Sequence, residues 1–104
     1  MPAMQAVRRE LKVPAELGLD SRVAFRREAA TLLEQLPERQ GQLILDMSGT
    51  RQVDSAGLGT LMLIQHRAAE RHQQVVLRGI SDEARYLLVL TKLDDLFLIE
   101  NTPS

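Results

Sequence analysis

The sequence contains no cysteine and no tryptophan, and its aromatic residues are two phenylalanines and one tyrosine. Without cysteine there is no disulfide framework and no thiolate metal site. With so few aromatic rings there is no platform on which bases or sugars could stack. The core must therefore be built mainly from leucine, valine, isoleucine and alanine.

The sequence also lacks a charge excess and a long apolar run. The formal net charge is −1 and the isoelectric point is about 6.1, with arginines interleaved among acids, so nucleic acid is not an expected partner. No apolar run approaches a membrane span, and the first residues, MPAMQAVRRELK, lack the apolar core of a signal peptide. We expect a soluble, cytoplasmic protein without direct membrane insertion.

Signatures of catalysis and of metal binding are missing as well. His66 and His72 are six positions apart, which does not place both on one helix face. Gly57 and Gly59 are not followed by the remaining glycine of a dinucleotide motif, and no phosphate-binding Gly-Lys-Ser/Thr loop is present. Ser55 has no general base nearby in sequence. We expect no enzyme activity, no cofactor and no metal.

Apolar segments of strand and helix type alternate along the chain of 104 residues. Because alternation of this kind is typical of parallel sheets, we predict a single α/β domain over residues 1–104 with a four- to five-stranded, mostly parallel or mixed sheet and helices packed on it. We expect residues 1–9 to form a frayed tail or a short edge strand, and residues 101–104 to form a polar tail. The predicted strands lie at 10–13, 43–45, 75–77 and 97–99, and the predicted helices at 21–36, 55–72 and 82–93.

The stretch from Leu43 to His72 organises this pattern. Its first three residues predict a strand buried on both faces, followed by a loop and an amphipathic helix. Asp54 and Ser55 are both good N-cap residues for that helix. Its predicted core-facing stripe consists of Leu58, Leu61, Met62, Gln65, Ala68, Ala69 and His72.

The motif in this stretch resembles the signature of the STAS domain family, the anti-sigma factor antagonists: a hydrophobic strand ending in Asp46, a loop, and Asp54-Ser55-Ala56-Gly57-Leu58-Gly59. The resemblance covers roughly residues 11–100 and implies the STAS fold. It implies that Ser55 is phosphorylated by a partner kinase, with Asp46, Asp54, Ala56 and Gly57 shaping the site. Asp46 and Asp54 could also hold Mg²⁺, but the resemblance assigns metal and nucleotide to the kinase. The chain departs from the family before its first helix, where a two-stranded hairpin is usual, and at its end, where one more helix is common.

The resemblance further implies an anti-sigma factor serine kinase and a PP2C-type phosphatase as partners. We expect the contact surface to include Asp20, Leu58, Gly59 and Thr60. Because the helix tolerates two glycines in its first turns, we expect a bulky residue at either one to weaken partner binding without changing the fold. The alternative is a small STAS subunit of a bacterial lipid-transport ABC system, whose partner would be the transporter ATPase.

Overall fold

Parallel strands alternate with helices through the part of the chain that the computed structural model describes, residues 6–100. The elements are, in chain order, β1 (Val7–Lys12), β2 (Glu16–Leu17), α1 (Arg22–Gln35), β3 (Gly41–Asp46), β4 (Gln52–Val53), α2 (Ser55–Glu70), β5 (Gln74–Arg78), α3 (Asp82–Leu90), a 3₁₀ turn (Asp94–Leu96) and β6 (Leu98–Glu100). The predicted α/β class is confirmed. The terminal stretches 1–5 and 101–104, which include most of the predicted tails, lie outside the described residues.

The main sheet has four strands in the order β1-β3-β5-β6, and every neighbouring pair is parallel. Leu45 lies between Leu11 and Leu77 in register, so β3 is an inner strand. The edge strand predicted at 10–13 begins earlier, at Val7. Separately, β2 and β4 form a two-residue parallel ladder that the sequence did not predict.

All three helices contribute to one core on one face of this sheet. The helices bring Phe25, Ala29, Leu33, Leu61, Ile64, Ala68 and Leu88, and the two inner strands bring Leu43, Leu45, Val75 and Leu77. Burial of these side chains is the main stabilising term, since each Leu, Ile, Val or Phe contributes about 1.5–3 kcal/mol when fully buried.

The first three residues of the central stretch, Leu43 to Leu45, are all buried, so the predicted strand buried on both faces is confirmed, but polar side chains and not helices cover its second face. Ile44 is only 2% exposed, yet it lies outside the helix-covered core. On this face, ion pairs join side chains of different strands: Arg78 pairs with Glu10 and with Glu100, and Arg8 pairs with Glu100 at 2.8 Å. Long polar side chains therefore cover this face in place of a second helical layer.

The rotation of α2 about its axis also differs from the prediction. The buried residues of α2 are Gly57, Thr60, Leu61, Ile64 and Ala68. Met62, Ala69 and His72 of the predicted stripe are exposed, and Leu63 is exposed too. Residues 61–64 are all apolar, so this segment alone does not indicate which two face inward.

Candidate functional site

The start of α2 is fixed by the side chain of Asp54. Asp54 is the N-cap residue, and its carboxylate accepts a hydrogen bond of 2.8 Å from the backbone N–H of Gly57. This satisfies one of the helix donors that has no intrahelical partner. Ser55 is the first helical residue and is exposed, and its hydroxyl has no hydrogen-bond partner among residues 6–100. Asp54 caps the helix and leaves Ser55 free.

The two glycines of α2 have different roles. A Cβ placed on Gly57 would lie 2.7 Å from the carbonyl carbon of Leu17 and closer still to its oxygen, so α2 touches the backbone of β2 at this residue. A Cβ on Gly59 would meet no atom within 4 Å. The expectation that a bulky residue at either glycine leaves the fold unchanged is therefore wrong for Gly57, which is required for internal packing.

The loop between β2 and α1 packs beside Asp54. A Cβ on Gly18 would lie 2.8 Å from Cγ of Asp54, so this glycine makes room for the capping carboxylate. The Ser21 hydroxyl donates to the Glu16 carbonyl at 2.7 Å and accepts from the Gly18 N–H at 3.1 Å, which closes the loop. Asp20 lines a small surface cavity together with Asp54. The structure thus brings the predicted contact residue Asp20 to the start of α2.

Two other predicted contact residues face inward. Thr60 is 3% exposed, and its hydroxyl donates to the carbonyl of Ala56 at 3.0 Å. Leu58 is half-buried against the core. The Thr60 side chain is therefore not available to a partner, and the Leu58 side chain mainly packs against the core.

Asp46 lies apart from Ser55, on the polar face of the sheet. It is in register with Lys12 and Arg78, whereas its chain neighbour Leu45 faces the helices. Its carboxylate accepts from the N–H of Ser48 at 3.0 Å. Hydrogen bonding from Ser48, with a smaller contribution from the two cations, holds the pKa of Asp46 below its ordinary value. Asp46 shapes the loop after β3 and does not touch the Ser55 surface.

A groove between α1 and α2 was not predicted. It has a volume of about 360 Å³ and is lined by Arg22, Val23 and Arg26 from α1 and by Ser55, Gly59 and Leu63 among the α2 residues. Val23 is exposed although it is apolar, because the buried face of α1 follows Phe25, Ala29 and Leu33. Arg22 and Arg26 lie three positions before Phe25 and Ala29, so helical periodicity places them at the margin of the buried face, beside α2.

Exposed apolar side chains lie in the groove that contains Ser55 and in the cavity beside Asp54. Leu19, in the loop that holds Asp20, is 66% exposed, and Leu63 in the groove is 54% exposed. Apolar groups around a polar centre are typical of protein contact surfaces. We call the set formed by Leu19, Asp20, Ser55, Gly59 and Leu63 the Ser55 surface.

Other kinds of site have little support in the described part of the chain. Residues 6–100 contain no cluster of three or more His, Cys, Asp or Glu side chains arranged for a metal ion. Among the helices described, none has the length and apolar character needed to cross a bilayer.

Comparison with known proteins identifies the class to which this fold and motif belong. The sequence model of the family described as "Mlab, STAS domain" matches residues 2–100. The chain therefore belongs to the STAS domain family.

Solved structures agree with this fold. A crystal structure of a "putative anti-sigma factor antagonist" from Thermotoga maritima matches with a TM-score of 0.74 at 20% identity, covering 90% of this chain and 80% of that one. A sulfate transporter family protein from Wolinella succinogenes matches with a TM-score of 0.70 at 16% identity, covering 90% and 77%. At these identities the likeness establishes the shared fold.

Proposed function

We propose that this chain is a regulatory binding module that a protein partner engages through the Ser55 surface, and that phosphorylation of Ser55 switches the contact. The supporting observation is the position of the Ser55 hydroxyl, which is exposed and unbonded within the described residues at the start of a helix that Asp54 already caps. A kinase can therefore reach this hydroxyl without disturbing the helix.

The other hydroxyls of the central segment are less suited to modification. The Thr50 hydroxyl is buried and donates to the carbonyl of Pro14 at 3.0 Å. Thr60 is buried and bonds back to its own helix. Ser48 is exposed, but it interacts with the carboxylate of Asp46, so a phosphate there would be placed next to a like charge.

The proposed partners are an anti-sigma factor serine kinase and a PP2C-type phosphatase. The kinase transfers the γ-phosphoryl group of ATP to Oγ of Ser55, the hydroxyl proton leaves, and ADP is released. The product adds about −2 charge to a surface flanked by Leu19 and Leu63. Because buried charge opposes apolar contact, we expect the modified surface to lose the partner, and hydrolysis by the phosphatase to restore binding.

The test uses the serine kinase encoded nearest to this gene, purified and incubated with the protein and ATP. Mass spectrometry should find one phosphate, on Ser55, and none on Ser55→Ala. In binding assays, Ser55→Asp should weaken the kinase complex more than Ser55→Ala does. Ser48→Asp is the matched control, since it places the same charge in the same segment but off the proposed surface. Phosphate on Ser48 with Ser55 unmodified would refute the proposal.

A small subunit of a lipid-transport ABC system is the second candidate. The matched family is described as an Mlab STAS domain and not as an anti-sigma factor antagonist. The same Ser55 surface would then contact the transporter ATPase without a phosphate switch. Co-purification of a stoichiometric ABC ATPase, together with the absence of phosphate after treatment with the kinase, would select this candidate.

A further inference from the structure

The groove between α1 and α2 places two arginines beside the proposed modification site. Arg22 and Arg26 line the same groove as Ser55, on the opposite wall. The two helices run side by side in the same direction, because Ser55 faces the start of α1 while Arg67, near the end of α2, pairs with Glu34 near the end of α1 at 3.6 Å. The first turns of both helices therefore meet at this groove.

The charge of the groove is entirely positive. None of its lining residues is acidic. Within residues 6–100, Arg22 and Arg26 form no ion pair, whereas Arg67 further along the same helix pair does. The nearby carboxylate of Asp54 is turned away, toward Gly57 N–H and Gly18, and it lines a different cavity. A negative group on Ser55 would meet two cations without a competing internal anion.

The shape of the groove allows such a group to enter. Arg22 and Arg26 are four positions apart on α1, a spacing that places both guanidinium groups on one helix face. Gly59 leaves the opposite wall open, since a Cβ there would meet nothing within 4 Å. Guanidinium groups bind phosphate oxygens in pairs of hydrogen bonds, and a phosphoserine offers three such oxygens.

We propose that Arg22 and Arg26 bind the phosphate of phosphorylated Ser55 within the same molecule, so that the modification ties α1 to α2 and neutralises the groove. This inference rests on the proposed function in one respect, the choice of Ser55 as the modified residue. It adds how the modified state is held: the phosphate lies across the groove, and the two arginines are withdrawn from any partner that would contact them.

The experiment installs phosphoserine at position 55 during translation with an orthogonal tRNA pair, so that no kinase is needed. The pH titration of its ³¹P NMR signal gives the second pKa of the phosphate, which is about 6 in an unpaired phosphoserine. Neighbouring cations favour the dianion, so we expect this pKa to lie about 0.5–1 unit lower in the protein than in its Arg22→Gln/Arg26→Gln variant. Both arginines are exposed, so the double variant should fold, which its circular dichroism spectrum checks.

The control is Arg27→Gln. This substitution removes one positive charge next to Arg26, but Arg27 does not line the groove of Ser55; it lines the neighbouring groove with His66 and Arg67. In the Arg27→Gln variant, the second pKa of the Ser55 phosphate should match that of the parent protein. Equal pKa values in the parent and the double variant, or an equal shift from Arg27→Gln, would refute the proposal. Because the phosphoserine is incorporated during translation without a kinase, this outcome is separate from the kinase assay, whose failure would refute the proposed function alone.

Discussion

Replacing each glycine of α2 by alanine should change stability in opposite directions. Both substitutions remove a poor helix former, which stabilises a helix interior by about 1 kcal/mol. At Gly59 nothing opposes this gain, because the added methyl group enters open space. We expect Gly59→Ala to raise the free energy of unfolding by about 0.5–1 kcal/mol, and the melting temperature by about 2–8 °C.

At Gly57 the added methyl group would overlap the backbone of Leu17, and a backbone cannot rotate aside as a side chain can. Overpacking of this kind destabilises proteins by about 1–3 kcal/mol. Moving the Leu17 carbonyl would also weaken the hydrogen bond of 3.2 Å that it accepts from the N–H of Asp54, at a further cost of about 0.5–1.5 kcal/mol. After the gain in helix propensity, we expect Gly57→Ala to destabilise the protein by about 1–3 kcal/mol.

Urea unfolding of the two variants and the parent, followed by circular dichroism, measures this difference. The comparison is matched, because both variants add one methyl group to the same helix two residues apart. If Gly57→Ala proves as stable as Gly59→Ala, the close approach of α2 to β2 is not a constraint on this fold. Substitutions that test partner binding should therefore place a bulky residue at Gly59, where it changes the Ser55 surface, and not at Gly57.

Three further predictions concern single side chains. Ser55→Ala should leave the free energy of unfolding within about 0.5 kcal/mol of the parent, whereas Asp54→Ala should lower it by about 1 kcal/mol through loss of the helix cap. The reverse order of stability in thermal melts would contradict the assignment of Asp54 as the cap. Leu45→Ala, at a core position with no exposed surface, should lose about 2–5 kcal/mol in urea melts, and a loss below that of Asp54→Ala would count against β3 as a core strand. The folded-state pKa of Asp46 is below its ordinary value of 3.8, so its contribution to stability is present above pH 3.8 and is lost as the pH falls through the lowered pKa. Acid unfolding of Asp46→Asn should therefore show a smaller loss of stability in this pH range than unfolding of the parent. An acid profile equal to that of the parent would refute this prediction.

The order of strands and helices could be predicted because each main element carries a strong local signal. Pro37 ends α1, and the N-cap at Ser81, whose hydroxyl accepts from the N–H of Ala84 at 3.1 Å, begins α3. The ladder of β2 and β4 could not be predicted in this way. Each of these strands has two residues, too few to display a period of two, and their pairing depends on how α2 is placed.

The residues that form the site were predicted less well, because they depend on the face of the strand or helix to which each side chain points. Asp46 follows two core leucines, and the alternation of side chains along a strand places it opposite Leu45, on the polar face. The family resemblance implied that Asp46 and Asp54 shape one site, and that expectation does not take the alternation into account. Arg22 and Arg26 were missed because they lie at the margin of the buried face of α1, and the sequence does not show that the start of α2 packs beside this margin.

A single short loop determines how the two walls of the groove are placed. The segment from Glu16 to Ser21 contacts α2 through the Leu17 backbone and through the space that Gly18 leaves for Asp54. The same segment leads directly into α1, since the Ser21 hydroxyl ties the loop together one residue before Arg22. A displacement of this loop would therefore change the distance between Arg22 and Ser55. The close packing at Gly57 thus does more than stabilise the fold, because it fixes the spacing on which capture of a phosphate by Arg22 and Arg26 depends.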